Sequence, residues 1–299
     1  MTQTLSRRAF LAGAGCALAA QATTNAQDNL PVIDIHQHTH YWGRSDEDLI
    51  RHQRALGATR TILLPAGSKY GLEADCYGND SVLALARKYP KEFVFFANEV
   101  ADLPEARPAI EKFLKAGAIG IGEQKFFVDC DSKHIELIAA LARDYDVPVL
   151  MHFQHGKYNT GFERFHKMLE KFPKVNFIGH AQTWWGNIDR NHDQTVLYPK
   201  GKLTPGGLTD RWLADYPNLY GDLSAGSGLN ALLRDEEFTQ AFFTRHQDKL
   251  MYGSDCQDAD TKVKECSGIK CLEAVRRLSP NRKVERKILF ENARRVLKI

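Results

Sequence analysis

The 299-residue chain predicts an α/β fold, a single-domain (β/α)8 barrel of the TIM type, on three observations. Eight short and nearly continuous apolar runs recur along it, each suited to a strand buried on both faces. Between them lie longer stretches with apolar residues three and four apart, the helical period. Successive runs begin about 25–33 residues apart, with one interval near 44, which matches the repeat of a closed eightfold barrel. An open doubly wound sheet is the rival arrangement, but it usually carries a glycine-rich phosphate loop after its first strand. Here that strand runs instead into His36-Gln37-His38-Thr39-His40.

Taken in order, residues 1–29 stand apart from the rest. They hold no acidic residue before Asp28, and Ser6-Arg7-Arg8-Ala9-Phe10-Leu11 precedes a weakly apolar run of small residues. That is the pattern of a secretory signal, and it resembles the bacterial twin-arginine signal. It implies export to the periplasm or beyond, with cleavage expected after Ala22 or Ala26. Residues 30–299 form the barrel. Strands are expected to begin near Val32, Arg60, Phe93, Ala118, Pro148, Val175, Leu219 and Leu250. Ser45 and Asp48 make a capping box for the first helix, which Gly57 stops. Asn79 is expected to cap the next, which ends before Pro90. Further helices are read over 105–116, 132–145, 162–172 and 236–246, and the long interval follows the sixth strand, from Thr183 to Gly207.

Composition closes off several functions. Forty Lys and Arg against 37 Asp and Glu leave a formal net charge of +3. No run of like charges and no basic stripe with interleaved aromatics is present, which argues against a nucleic-acid partner. No apolar run is long enough to span a membrane. The partner class left is a small-molecule substrate, and self-association into a homo-oligomer stays open. After signal removal five cysteines remain, Cys76, Cys130, Cys256, Cys266 and Cys271. A large core needs no covalent staples, so scattered buried or free thiols are expected. The absence of a Cys-x-x-Cys pair argues against a zinc ribbon.

Function in such a barrel gathers at the carboxyl ends of the strands. There the sequence places His36 and His38 (first strand), Glu123 and Lys125 (fourth), His152 (fifth), His180 (sixth), Asp222 (seventh) and Asp255 (eighth). Positions i and i+2 of a strand share a side, so His36 and His38 can grip one cation. Several imidazoles and carboxylates at one rim suit a divalent metal, with Zn²⁺ the best match. His40, Trp184 and Trp185 are expected on loops overhanging the mouth, as substrate contacts or as packing for a long loop. Asp222, with Ser224, either meets substrate or orients a ligand. His52, His134, His166 and His246 fall on helices and are expected to be solvated.

His36-Gln37-His38 after an apolar strand, His152, His180 in Ile-Gly-His and Asp255 in Tyr-Gly-Ser-Asp resemble the amidohydrolase superfamily. The nearest likeness is to amidohydrolase family 2, whose members include decarboxylases and lactonases. The segment Ile288 to Leu297 is similar to that branch's C-terminal helix. The resemblance implies His36, His38, His152 and Asp255 as metal ligands, His180 as a ligand or a base, and one or two ions. It leaves the fourth strand open between Glu123 as ligand and Lys125, with Lys125 otherwise a substrate partner. It implies hydrolysis of an ester, lactone or amide by metal-activated water, with Asp255 taking and returning the proton. A decarboxylase on the same scaffold, or a metal-containing binding protein, are the alternatives.

Overall fold

A computed structural model describes residues 30–67, 76–258 and 266–299; the expected signal, residues 1–29, lies outside the described residues. The eight strands are β1 (Val32–Gln37), β2 (Ala58–Leu63), β3 (Phe93–Phe95), β4 (Ile121–Gln124), β5 (Val149–His152), β6 (Phe177–His180), β7 (Leu219–Asp222) and β8 (Leu250–Met251). All pairs are parallel and in chain order, β1 to β3 in one segment and β4 to β8 in another. Backbone bonds cross both gaps. Ile119 N–H donates to Phe95 O and Gly122 N–H to Ala97 O, each over 2.9 Å, and at the other seam Ile35 N–H donates to Tyr252 O (3.1 Å) and Asp255 N–H to His36 O (2.9 Å). The result is a (β/α)8 barrel.

Helices α1 (Asp46–Leu56), α2 (Asn79–Lys88), α3 (Ala106–Lys115), α4 (Lys133–Tyr145), α5 (His166–Lys171), α6 (Gln182–Gly186), α7 (Leu208–Asp215), α8 (Ala225–Leu233), α9 (Glu236–His246), α10 (Ser267–Leu278), α11 (Arg282–Arg286) and α12 (Asn292–Leu297) surround it. Ser45 caps α1 as expected: its Oγ accepts from Asp48 N–H at 3.1 Å and donates to the Asp48 carboxylate at 2.8 Å. Gly57 ends α1 at φ 83°, a left-handed turn that glycine adopts without steric cost. Asn79 does not cap α2. Its side chain is spent on the backbone of Asn98, accepting from N–H at 2.9 Å and donating to O at 2.7 Å, and Gly78 takes the cap position. The helix expected over 162–172 is shorter, a 3₁₀ turn at Phe162–Arg164 and then α5.

Two layers of apolar packing follow. Outside the sheet, Leu63, Phe93, Val149, Phe177 and Leu219 meet helical residues such as Leu49, Val82, Ile110 and Ile138. Inside, Ile33, Ile35, Ile62, Phe96, Leu150, Ile178 and Met251 fill the cylinder, and Ala293, Val296 and Leu297 of α12 seal its floor. The upper end is left to polar groups. Cysteine usage departs from expectation in one respect: Cys256 and Cys266 form a disulfide, while Cys76, Cys130 and Cys271 are free and buried. The Cys256–Cys266 pairing joins the segment after β8 to the start of α10, a proximity that only the tertiary fold creates.

Candidate metal centre

The site begins with a departure from regular strand geometry. Ile33 and Ile35 face the barrel interior, so strict alternation would turn His36 and His38 outward. The β1–β2 register slips between Asp34 and Gln37. An irregularity of this kind re-aims the side chains beyond it, and both imidazoles enter the mouth. Buried Asp34 braces the turn by accepting from His36 N–H at 3.1 Å and from Ser254 N–H at 2.8 Å.

Five donor groups converge there. His36 Nε2 lies 3.7 Å from Glu123 Oε2 and 3.8 Å from Asp255 Oδ1. His38 Nε2 lies 3.7 Å and 3.6 Å from the same two atoms. His180 Nε2 is 3.6 Å from Glu123 Oε1 and 3.8 Å from Asp255 Oδ2. His36, His38 and Asp255 form one compact set of possible ligands, and His36, Glu123 and His180 another. Zinc ligands about 2.1 Å from their ion and tetrahedrally arranged stand roughly 3.4 Å apart, so these separations are of the size a shared cation needs. The fit has a second support. His36 Nε2 and Asp255 Oδ1 are buried with no hydrogen-bond partner, a costly state for polar atoms unless an ion engages them.

A second layer fixes the tautomers and ring planes. Asp222, fully buried, meets His36 Nδ1 at 2.6 Å and accepts from Ser224 Oγ at 2.9 Å. Ser224 Oγ also lies 3.0 Å from His180 Nδ1. His38 Nδ1 is 2.8 Å from Leu64 O. With Nδ1 held, each ring presents Nε2 to the mouth, the usual arrangement around a bound metal. Behind them, buried Arg44 donates to Cys256 O (2.7 Å), Gln37 Oε1 (2.5 Å) and His38 O (3.1 Å). Nothing in the local sequence marks Arg44 as buried; only the fold reveals that it ties β1 to the segment carrying Asp255.

His152 is placed differently from the other imidazoles. Its Nδ1 is 2.5 Å from Glu123 Oε1, and its Nε2 is buried without a partner at the wall of the cavity. Lys125 also lines the cavity, with Nζ over the Tyr158 ring at 5.6 Å. Among the described residues it has no ion-pair partner. His40 does not reach the cavity: it stacks on Tyr77 at 3.8 Å and approaches Asp46. Trp184 and Trp185 are not on an overhanging loop. Both are buried on α6, packed among Phe153, Phe162 and Phe242, and Trp185 Nε1 donates to Asp222 O at 2.9 Å. The excursion after β6 folds back on them, so they support the site from behind. His52 and His246 are also buried rather than solvated, against Cys266 and Asp210 respectively.

The charges are strongly mixed. Burial opposes a proton on His36, but Asp255 and Asp222 outweigh it and hold that imidazole well above its ordinary pKa. Burial likewise opposes ionisation of Glu123, and His152 and His36 overcome it, keeping the carboxyl well below its usual range. Asp255 is held at about 2, because His36 and His38 override its burial. For His152 burial prevails over the pull of Glu123 and lowers its pKa to about 4, leaving a neutral ring. The rim is also conformationally unusual: Ala181, Ala225 and Asp255 have φ of 80°, 63° and 44°. Each such residue costs on the order of 1–3 kcal/mol, and strain of this kind concentrates at functional sites. The cavity above the donors has a volume of about 410 Å³ and is bordered by Tyr41, Gln182, Tyr198, Ser227, Gln257 and Asp258.

Residues 33–299 match the profile of the family described as amidohydrolase. No curated protein matches the chain. Among solved structures, an uncharacterised TIM-barrel protein of Bordetella bronchiseptica is similar at 16% identity and a TM-score of 0.66, over 90% of this chain and 99% of that one. A protein of Acinetobacter baumannii described as a probable 2-pyrone-4,6-dicarboxylic acid hydrolase is 11% identical, with a TM-score of 0.60 over 90% and 99% of the two chains. A 5-carboxyvanillate decarboxylase of Novosphingobium aromaticivorans, complexed with manganese, is 16% identical, with a TM-score of 0.53 over 84% and 79%. At these identities the three structures speak for the fold.

Proposed function

Because this chain belongs to the amidohydrolase family, whose members are metal-dependent enzymes, we propose that it is a hydrolase acting on an ester, lactone or amide bond of a small molecule. The observation that carries the reading is the meeting of His36, His38, Glu123, His180 and Asp255, with buried, unpartnered atoms facing one point. These residues would hold the ion, with His152 beside Glu123 as a further candidate ligand; Zn²⁺ suits the donors, and manganese accompanies one structural relative. When bound, a divalent metal supplies a Lewis acid for a carbonyl oxygen and acidifies water.

The chain's own groups do the rest. Asp255 has one unpartnered oxygen at the cavity edge and a pKa low enough to arrive ionised. It accepts the proton of the attacking water and returns it to the leaving group. His180, held by Ser224, either shares the ion or positions that water. Tyr41 closes the wall beside Asp255, and Lys125 faces the substrate. A decarboxylase is the second reading, favoured by the decarboxylase among the structural relatives. The deciding experiment is elemental analysis of the purified protein, followed by a screen that separates released acid or amine from released CO₂. Metal with acid or amine supports hydrolysis, CO₂ moves the assignment to decarboxylation, and metal without turnover favours a binding protein. We also propose that residues 1–29 direct export; replacing Arg7 and Arg8 by Lys in the full chain should retain it in the cytoplasm on fractionation.

A further inference from the structure

One wall of the cavity is not used by the metal chemistry. Helix α8 starts immediately after β7 and points its first turn into the cavity, where Gly226 and Ser227 form part of the lining. The first intrahelical bond runs from Gly228 N–H to Ser224 O, so the amides of Gly226 and Ser227 precede it and have no helical acceptor. Ser224, at the capping position, makes no cap, because its hydroxyl is engaged by Asp222 and His180. An uncapped nine-residue helix therefore presents free N–H groups and its positive end to the substrate space. Ser227 is an independent observation pointing to a polar ligand group at this wall. It is 3% exposed, it borders the cavity, and its Oγ has no hydrogen-bond partner. Lys125 is the only Lys or Arg among the described residues lining the same cavity, which Asp258 also borders.

We propose that the substrate carries a carboxylate, separate from the bond that reacts, and that this group docks on the first turn of α8 through the Gly226 and Ser227 amides and Ser227 Oγ, balanced by Lys125. This rests on the reading of the cavity as the active site of a small-molecule enzyme, and it narrows the substrate to acids. A carboxylate suits the local charge better than a phosphate does. The lining sets one lysine and one helix terminus against the carboxylates of Asp255 and Asp258, so a singly charged carboxylate meets less repulsion there than a phosphate does.

The test is calorimetric titration of the purified, metal-assayed protein with benzoate, with its neutral analogue benzamide, and with inorganic phosphate. Benzoate should bind at least about tenfold more tightly than benzamide. Lys125→Met and Ser227→Asp should each weaken benzoate by about tenfold or more, the scale of losing a hydrogen bond to a charged group, with fold and metal content unchanged. Ser227→Ala, the gentler variant, should weaken it severalfold. Equal binding of benzamide, unchanged benzoate affinity in the Lys125 and Ser227 variants, or no benzoate binding at all would overturn the proposal. Phosphate binding tighter than benzoate would overturn the choice of a carboxylate. Benzoate held only by the metal would give unchanged affinity in the variants. Failure of the hydrolase reading would appear instead in the metal analysis and the product screen.

Discussion

At the scale of single residues, Asp255 concentrates the greatest expected effect. Asp255→Asn keeps the shape and removes both the proposed proton acceptor and one charge from the donor set. Turnover should fall by about 10²–10⁴-fold in a steady-state assay, and a rate near that of the parent protein would remove Asp255 from the mechanism. Gly253 is a quieter control point. A Cβ there would sit 2.6 Å from Asp222 Oδ1 and 2.9 Å from the Cβ atoms of His36 and Ser224. Gly253→Ala should therefore spread the Asp222–His36 contact and reduce bound metal, measured by elemental analysis, while circular dichroism stays close to that of the parent. Among individual side chains, those at strand ends were legible, since His36, His38, Glu123, His152, His180, Asp222 and Asp255 share a position in the βα repeat. Arg44, Asp34 and Ser227 were not, because their importance lies in burial and in partners far away along the chain.

At the scale of elements, α1 offers two measurements. Its N-cap is complete, so Ser45→Ala should cost about 1 kcal/mol in chemical denaturation. His52, on the buried face of the same helix, has its pKa lowered to about 4, by burial first and by Arg44 second. Between pH 6.5 and 4 the unfolded chain binds a proton at this position that the folded chain does not, so stability falls as pH falls. The full loss is roughly 3 kcal/mol, and His52→Gln should flatten the acid limb of the stability curve by about that amount. The strand pattern was legible because apolar runs of four to six residues have few other uses. The failures were local. Asn79 had a competing backbone partner in Asn98, and α8 was missed because Ala225-Gly226-Ser227-Gly228 has the composition of a loop. Trp184 and Trp185 were read as loop residues for want of any sign that the chain would curl into α6 and bury them.

At the scale of the whole molecule, the barrel works as two compartments, an apolar cylinder below and a polar mouth above. Helix α12 closes the lower one, and Leu297, 3% exposed, packs against its contents. Leu297→Ala should destabilise the protein by about 2–5 kcal/mol in denaturant titration, with the catalytic constants of the remaining folded fraction unchanged. The eightfold period made this architecture legible. The Cys256–Cys266 pairing was not: a core of this size gave no reason to expect a covalent link, and only the fold brings the segment after β8 to the start of α10.

The seam where β8 meets β1 has a wider implication. His36 comes from the first strand, His38 from just after it and Asp255 from just beyond the last, and the bond from Asp255 N–H to His36 O lies on the line along which the cylinder shuts. A copy that lacks either the first strand or the segment after the last one lacks part of that trio. Catalytic competence should switch on in a single late event, so that immature or damaged copies remain inert rather than carrying out a diminished version of the reaction.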